Sequence, residues 1–140
     1  MQAQKQIEKG TLLGEVREKY TTLTIKEIGP FGIRLEGNAV AEFAGVYTAT
    51  GYTTGTMFLK NDGTIDWDVK LIESTNEGDT IVGNGHGTSR MTGPKTSAGE
   101  GEVIFMTQSP KLSWLNNKKC RVETTADMAT GEDRGKFFAL

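Results

Sequence analysis

The segment from Thr64 to Ile72 constrains the fold more than any other part of the chain, because apolar and polar side chains alternate along it without interruption. The apolar positions are Ile65, Trp67, Val69 and Leu71. Strict alternation with a period of two is typical of a β-strand that buries one face. The segment therefore predicts a half-buried strand.

Short turn signals separate this strand from similar segments on both sides. They are Gly29-Pro30, Asn61-Asp62-Gly63, Asn76-Glu77-Gly78, Gly93-Pro94 and Thr130-Gly131. The spacing leaves little room for crossover helices, so consecutive strands should be antiparallel. The pattern places strands near residues 11–17, 21–28, 32–44, 46–60, 64–73, 79–91, 96–107, 119–127 and 134–140. About eight strands joined by hairpins predict an all-β, antiparallel, mostly up-and-down barrel, and a β-sandwich is the alternative.

The composition agrees with this interpretation, since the 140 residues include 18 glycines and 19 threonines but only 3 prolines. A chain of this length forms one domain, which we place at residues 11–140, after a polar N-terminal stretch at residues 1–10 that we expect to be frayed. The single cysteine, Cys120, cannot form an internal disulfide. We expect it to be a small buried residue.

Charge and motifs exclude several functions. Sixteen basic residues against 18 acidic ones give a net charge of -2, so nucleic acid is not an expected partner. No apolar run is long enough to predict a membrane span, and no secretory signal is recognisable, so a cytoplasmic location is expected. One histidine and one cysteine provide no metal-ligand spacing, and no cofactor-binding motif occurs. We expect neither a metal nor a cofactor.

The hairpin turns predict which strand positions face each other. A three-residue loop at Asn61–Gly63 places Met57 opposite Trp67. A loop at residues 74–78 would place Trp67 opposite Gly85 and Asp66 opposite His86. The apolar face then also contains glycines, namely Gly51, Gly55, Gly83, Gly85, Gly87, Gly99 and Gly101. These glycines either admit a neighbouring aromatic ring and allow strong coiling, or leave space for a small apolar ligand.

The main functional hypothesis is a non-enzymatic barrel that binds a small, partly apolar molecule in its lumen. The residues expected to line the lumen are Met57, Trp67, Gly83, Gly85 and Phe105. An alternative is an isomerase or cyclase for a small apolar substrate, with acid-base help from His86, Asp66, Tyr52 or Arg90. The plainer interpretation of these polar residues is a solvated outer wall. A third hypothesis is a structural barrel that forms homo-oligomers.

The segment from Phe105 to Asn116 resembles a motif, F-x-T-x-S-x-K-L-x-x-L-N, that recurs in small uncharacterised archaeal and bacterial proteins related to calycin-type barrels. The glycine-rich hairpins before it are similar to the barrels of the DUF3224 group and, more remotely, to the allene oxide cyclase barrel. The resemblance spans roughly residues 45–127, implies a barrel fold, and identifies no catalytic residue. Within the motif, Leu112 and Leu115 should lie on one side of a helical turn that plugs a barrel end, with Trp114 directed to a rim or a partner.

Overall fold

The computed structural model describes residues 7–140, which form a closed antiparallel barrel of eight strands. Each strand pairs with the next one in the sequence, and the last strand pairs with the first. The strands are β1 (Leu12–Gly29), β2 (Gly32–Gly45), β3 (Thr48–Lys60), β4 (Thr64–Thr75), β5 (Thr80–Met91), β6 (Thr96–Thr107), β7 (Lys119–Asp127) and β8 (Glu132–Ala139). A short 3₁₀ helix, Pro110–Leu115, connects β6 to β7. The predicted up-and-down barrel is confirmed, and the sandwich alternative is wrong.

Strand β1 differs from the prediction, because the two strands expected at residues 11–17 and 21–28 are one continuous strand. Its pairing with β2 shifts between Tyr20 and Thr22 and again between Ile25 and Glu27. A bulge interrupts side-chain alternation without ending a strand, so the sequence pattern divides β1 into two segments. Pairing of β1 with β8 ends at Lys19, and beyond it β1 continues along β2, which itself pairs with β3 as far as Gly32 opposite Lys60.

The two central hairpins test the predicted pairing. The β3–β4 pairing is confirmed, with Met57 opposite Trp67. The β4–β5 pairing differs by two residues. The Thr75 nitrogen donates to the Asp79 oxygen at 2.8 Å, so the loop between these two residues contains three residues rather than five. It closes through a hydrogen bond from the Gly78 nitrogen to the Thr75 oxygen at 3.0 Å, with a φ of 92° at Gly78. A shift of two preserves the face of each side chain but changes its partner, so Trp67 lies opposite Gly87.

The end of the barrel next to the 3₁₀ helix is filled by a hydrophobic core. Phe105 and Phe137 pack there with ring centroids 5.5 Å apart. Leu112, Trp114 and Leu115 of the helix belong to the same buried cluster. The expected helical turn is therefore present, but the prediction that Trp114 lies at a rim is wrong, since it is only 9% exposed.

The motif that suggested a family resemblance has a structural role at this end. The Asn116 side-chain oxygen accepts a hydrogen bond from the Thr107 backbone nitrogen at 2.7 Å. The Ser109 nitrogen donates to the Thr107 hydroxyl at 3.1 Å. These bonds hold the turn against the end of β6.

The inward-facing glycines of β5 and β6 allow close packing. A Cβ atom at Gly87 would lie 2.4 Å from Trp67 Cζ2 and 2.4 Å from the Glu100 oxygen, and one at Gly85 would lie 2.4 Å from the Glu102 oxygen. At these positions the interpretation based on an adjacent aromatic ring and coiled strands is correct. Gly55 on β3 is different, because the nearest atom to its Cβ position is the Asp68 oxygen at 3.4 Å.

The chain before β1 makes contacts with the barrel where it is described. Ile7 packs against the core, and the Gly10 nitrogen donates to the Ala139 oxygen at 2.7 Å. Residues 1–6 of the segment expected to be frayed lie outside the described residues. In residues 7–140, no helix is long and apolar enough to cross a lipid bilayer. Cys120 is buried as expected, and burial raises the pKa of its thiol to about 11.

Candidate functional site

The barrel encloses a cavity of about 440 Å³ toward the end opposite the 3₁₀ helix. Most of the cavity surface is apolar, and the residues that contribute to it include Val16, Leu35, Met57, Ile65, Trp67 and Val69. The β7–β8 turn and the part of β1 beyond Lys19 contribute residues at its mouth, including Met128 and Leu23. The volume and apolar lining are those of a small-molecule site.

Two carboxyl side chains project into this cavity from neighbouring strands. Glu18 of β1 lies directly opposite Asp133 of β8 in the strand pairing, and both line the cavity. Burial, followed by the negative charge of Asp133, raises the pKa of Glu18 to about 7, although a hydrogen bond from Thr53 opposes the shift. Burial also raises the pKa of Asp133 to about 6. Both groups therefore titrate close to neutral pH.

Tyr20 completes this polar group. Its hydroxyl donates a hydrogen bond to Asp133 Oδ2 at 2.9 Å. Burial and the charge of Asp133 raise the pKa of the phenol, so Tyr20 stays protonated and acts as a donor. The arrangement therefore places a fixed donor beside two carboxyl groups that can gain or lose protons near pH 7.

A third carboxyl group lies deeper in the barrel interior. The Tyr47 hydroxyl donates to Glu73 Oε1 at 2.5 Å, and Glu73 is only 6% exposed. Burial raises the pKa of Glu73, while the bond from Tyr47 lowers it. The charge of Glu73 also raises the pKa of Glu18, so the three carboxyl groups influence one another.

No described ion pair neutralises Glu18, Glu73 or Asp133. Arg134 is the only basic residue among the described residues lining the cavity, and it is exposed. It lies across from Arg17 in the strand pairing, and Arg17 is exposed as well. The lumen therefore combines apolar walls with carboxyl groups that have neutral hydrogen-bonding partners.

The residues predicted to line a lumen are distributed between the cavity and the packed core. Met57 and Trp67 line the cavity. Gly83 and Phe105 face inward but pack together, since a Cβ at Gly83 would lie 3.1 Å from Phe105 Cδ1. Gly85 packs against Val103 in the same way. Gly83, Gly85 and Phe105 therefore lie among packed side chains rather than at the cavity surface.

The four predicted acid-base residues lie on the outer wall. His86, Arg90 and Tyr52 are exposed, and Tyr52 is 68% exposed. Asp66 forms an ion pair with Lys60 at 2.7 Å and lies opposite Thr88, not His86. The expectation that these four residues serve the lumen is wrong, because strand alternation directs them away from it.

Sequence reasoning missed Glu18, Tyr20, Glu73 and Asp133. Glu18 and Tyr20 lie between the strands predicted at residues 11–17 and 21–28, and Asp133 precedes the predicted start of the last strand at residue 134. An available signal was the spacing of Val16, Glu18 and Tyr20 at alternate positions, which continues one face of β1 beyond residue 17.

Within residues 7–140, no group of three or more histidine, cysteine, aspartate or glutamate side chains is arranged to hold a metal ion.

No family model and no curated protein matches the chain. Solved structures do match. A protein of unknown function from Clostridium acetobutylicum ATCC 824 has a TM-score of 0.82 at 12% identity, covering 93% of this chain and 97% of that one. A β-barrel-like protein from Acinetobacter baumannii AYE has a TM-score of 0.75 at 16% identity, covering 91% and 92%. An enzyme from Penicillium herquei has a TM-score of 0.64 at 19% identity, covering 96% and 98%. The chain thus shares its barrel fold with proteins that include uncharacterised ones.

Proposed function

We propose that the barrel binds a small, mainly apolar molecule in its lumen. The observation that carries the proposal is the cavity of about 440 Å³, whose surface is mostly apolar and whose wall includes the hydrogen-bonding groups of Glu18, Tyr20 and Asp133. Such a combination supplies affinity through apolar burial and orientation through a few hydrogen bonds. On the scale of about 30 Å³ per water molecule, the cavity has room for roughly 15 non-hydrogen atoms.

Filling the cavity tests this proposal. Gly55 lines the lumen and has space beyond its Cβ position, so Gly55→Leu adds a side chain where a ligand would lie. Thr56→Leu is the control, because Thr56 is exposed on the same strand. Isothermal titration calorimetry with decanol should give binding to the wild type and to Thr56→Leu, and at least tenfold weaker binding to Gly55→Leu. Equal affinity for all three proteins would reject the lumen as the binding site.

A second candidate function is acid-base catalysis on a small apolar substrate, as in an isomerase or cyclase. It is supported by the Glu18 and Asp133 pair, which can hold one proton and one charge near neutral pH. The Penicillium herquei structure is described as that of an enzyme, which makes catalysis compatible with this type of barrel.

Proton exchange provides a test that does not require the natural substrate. A set of small apolar ketones incubated with the protein in deuterated buffer should show faster α-proton exchange by NMR, and Glu18→Gln together with Asp133→Asn should abolish it. A His86→Gln variant, altered on the outer wall, is the control. Exchange at the uncatalysed rate across the whole set would argue against this second candidate.

The homo-oligomer expected from the sequence remains a proposal. It is supported by an apolar row on the outer wall, in which each residue lies directly opposite the next on five successive strands. The row is Val40, Tyr52, Ile72, Val82 and Met106, all exposed. Ile72→Lys should weaken any concentration-dependent association in sedimentation velocity more than Thr50→Lys, which alters a neighbouring polar position. A wild-type protein that stays monomeric at every concentration would contradict the proposal.

Three further expectations remain predictions. They are kinship with the DUF3224 and allene oxide cyclase barrels, a cytoplasmic location, and the absence of nucleic-acid and membrane partners. The shared fold with uncharacterised barrels is compatible with the first of them.

A further inference from the structure

We infer that the lumen takes an elongated amphipathic molecule with a cationic head, such as a primary amine, held between Glu18 and Asp133, and an apolar tail lying toward the part of β1 that continues beyond its pairing with β8. This inference rests on the proposed binding function and specifies the chemical class of the ligand. It depends on three features of the cavity: its open volume, the charge at one part of its wall, and the apolar surface at its mouth.

The head position follows from the carboxyl pair. Glu18 and Asp133 are directly opposite each other on adjacent strands, where side chains approach to about 5 Å and like charges are unfavourable. No described ion pair offsets either charge, and Tyr20 and Thr53 contribute only neutral hydroxyl groups. A ligand ammonium group between the two carboxylates would supply the missing positive charge and donate to both.

A neutral or anionic head fits less well. An alcohol can hydrogen-bond with one carboxyl group but leaves the repulsion between the two carboxylates unchanged. A carboxylate head would add a third negative charge beside Glu18 and Asp133, and Glu73 lies deeper in the same interior. The electrostatics of the site therefore rank an amine above an alcohol, and an alcohol above a carboxylate.

The tail position follows from the part of β1 that continues beyond its pairing with β8. Leu23 and Leu35 line the cavity, and Ile25 lies directly opposite Leu35. Leu23 is 56% exposed and Ile25 is 62% exposed, because β8 does not continue along this part of β1. These side chains form an apolar lip continuous with the cavity wall. Leu23, the lip residue that lines the cavity, follows Glu18 by five positions along β1, which corresponds to about 16 Å and suits an elongated ligand.

A matched series of ligands tests the class. Decylamine, decanol and decanoate have the same chain and differ in the charge of the head. At pH 7.5, calorimetry should show decylamine binding at least tenfold more tightly than decanol, with decanoate weakest. Butylamine should bind at least tenfold more weakly than decylamine, because it cannot reach the lip.

Charge-removing variants and pH locate the head. Asp133→Asn together with Glu18→Gln should reduce the preference for decylamine over decanol to less than twofold, with the larger change in the affinity for decylamine. Glu42→Gln, on the exposed outer face of β2, should preserve the preference. Lowering the pH from 7.5 to 4.5 should also remove the preference for decylamine over decanol.

The titratable groups nearest to the proposed head are Glu18 and Tyr20 of β1, Asp133 of β8 and Glu73 of β4. Asp68, Asp127 and Arg134 also line the cavity. Asp133→Asn and Glu18→Gln remove the two that contact the proposed head, while Tyr20 and Glu73 remain. If decanol binds as tightly as decylamine, or if the double variant keeps the preference, the cationic head is refuted while the binding function stands. If none of the ligands binds, both proposals fail.

Discussion

The replacement Glu18→Gln should stabilise the protein at alkaline pH, although it removes a hydrogen-bonding acceptor from the interior. Glutamine has nearly the same shape as glutamate and no charge. The carboxyl group that it replaces is buried beside Asp133, so its ionised form is unfavourable in the folded state. The variant removes this unfavourable charge and preserves the side-chain volume.

The magnitude follows from the change in pKa. The pKa of Glu18 rises from 4.5 in the unfolded chain to about 7 in the folded protein. Between these values the folded state binds more protons than the unfolded state, so the free energy of unfolding decreases as pH rises. The loss is complete above pH 7 and amounts to about 3 kcal/mol. Below pH 4.5 both states carry a protonated Glu18, and the loss disappears.

Urea denaturation at pH 4 and pH 8 measures this effect. At pH 8 the variant should exceed the wild type by about 2–3 kcal/mol, or by roughly 5–10 °C in Tm, and at pH 4 the two should agree within about 0.5 kcal/mol. Glu42→Gln on the outer wall is the matched control and should not show a comparable pH-dependent gain. A difference of the same size at both pH values, or a destabilised variant at pH 8, would refute the account of Glu18 as a buried, charge-repelled carboxylate.

Three other measurements test the packing. Gly87→Ala should destabilise the protein by about 2–3 kcal/mol, because its Cβ would collide with Trp67 and a backbone oxygen, whereas Gly55→Ala should stabilise it by about 0.5–1 kcal/mol. Thermal melts compare the two variants. A Gly87→Ala variant as stable as the wild type would contradict the close-packing argument. Leu115→Ala should cost about 3 kcal/mol in urea denaturation, because Leu115 is 2% exposed in the core of the closed end, and a cost below about 1 kcal/mol would be inconsistent with this. The Cys120 thiol should react with a disulfide reagent at pH 8 only at the rate of unfolding, because it is buried with a pKa of about 11. Rapid labelling of the native protein would show that Cys120 is not buried.

The sequence predicted the barrel because its alternation and turns depend on local chemistry. The segment around Trp67 alternates cleanly, and Asn61-Asp62-Gly63 forms the three-residue loop that its composition favours, with a φ of 85° at Gly63. Loop length is less well determined by sequence. The loop ending at Gly78 has the same form, but it was assigned two residues too many, and the pairing of His86 was therefore wrong.

The candidate site was harder to predict, because it depends on pairing between strands that are far apart in the sequence. Glu18 and Asp133 meet only when the last strand closes the barrel against the first. Neither residue belongs to a motif, and Glu18 lies just before the bulge that disrupts the alternation of β1. His86 attracted attention as the only histidine, yet its strand position directs it outward.

The distribution of packing along the barrel axis separates stability from the proposed function. At the closed end, Phe105, Phe137 and Leu115 bury apolar surface and stabilise the fold. Toward the open end, Glu18 and Asp133 face each other across a strand pair, an arrangement that lowers stability at neutral pH. Buried groups with unfavourable charge interactions are typical of functional sites, where they act on a ligand rather than on the fold. If Glu18→Gln raises stability and also removes the preference for an amine, the same charge accounts for both effects.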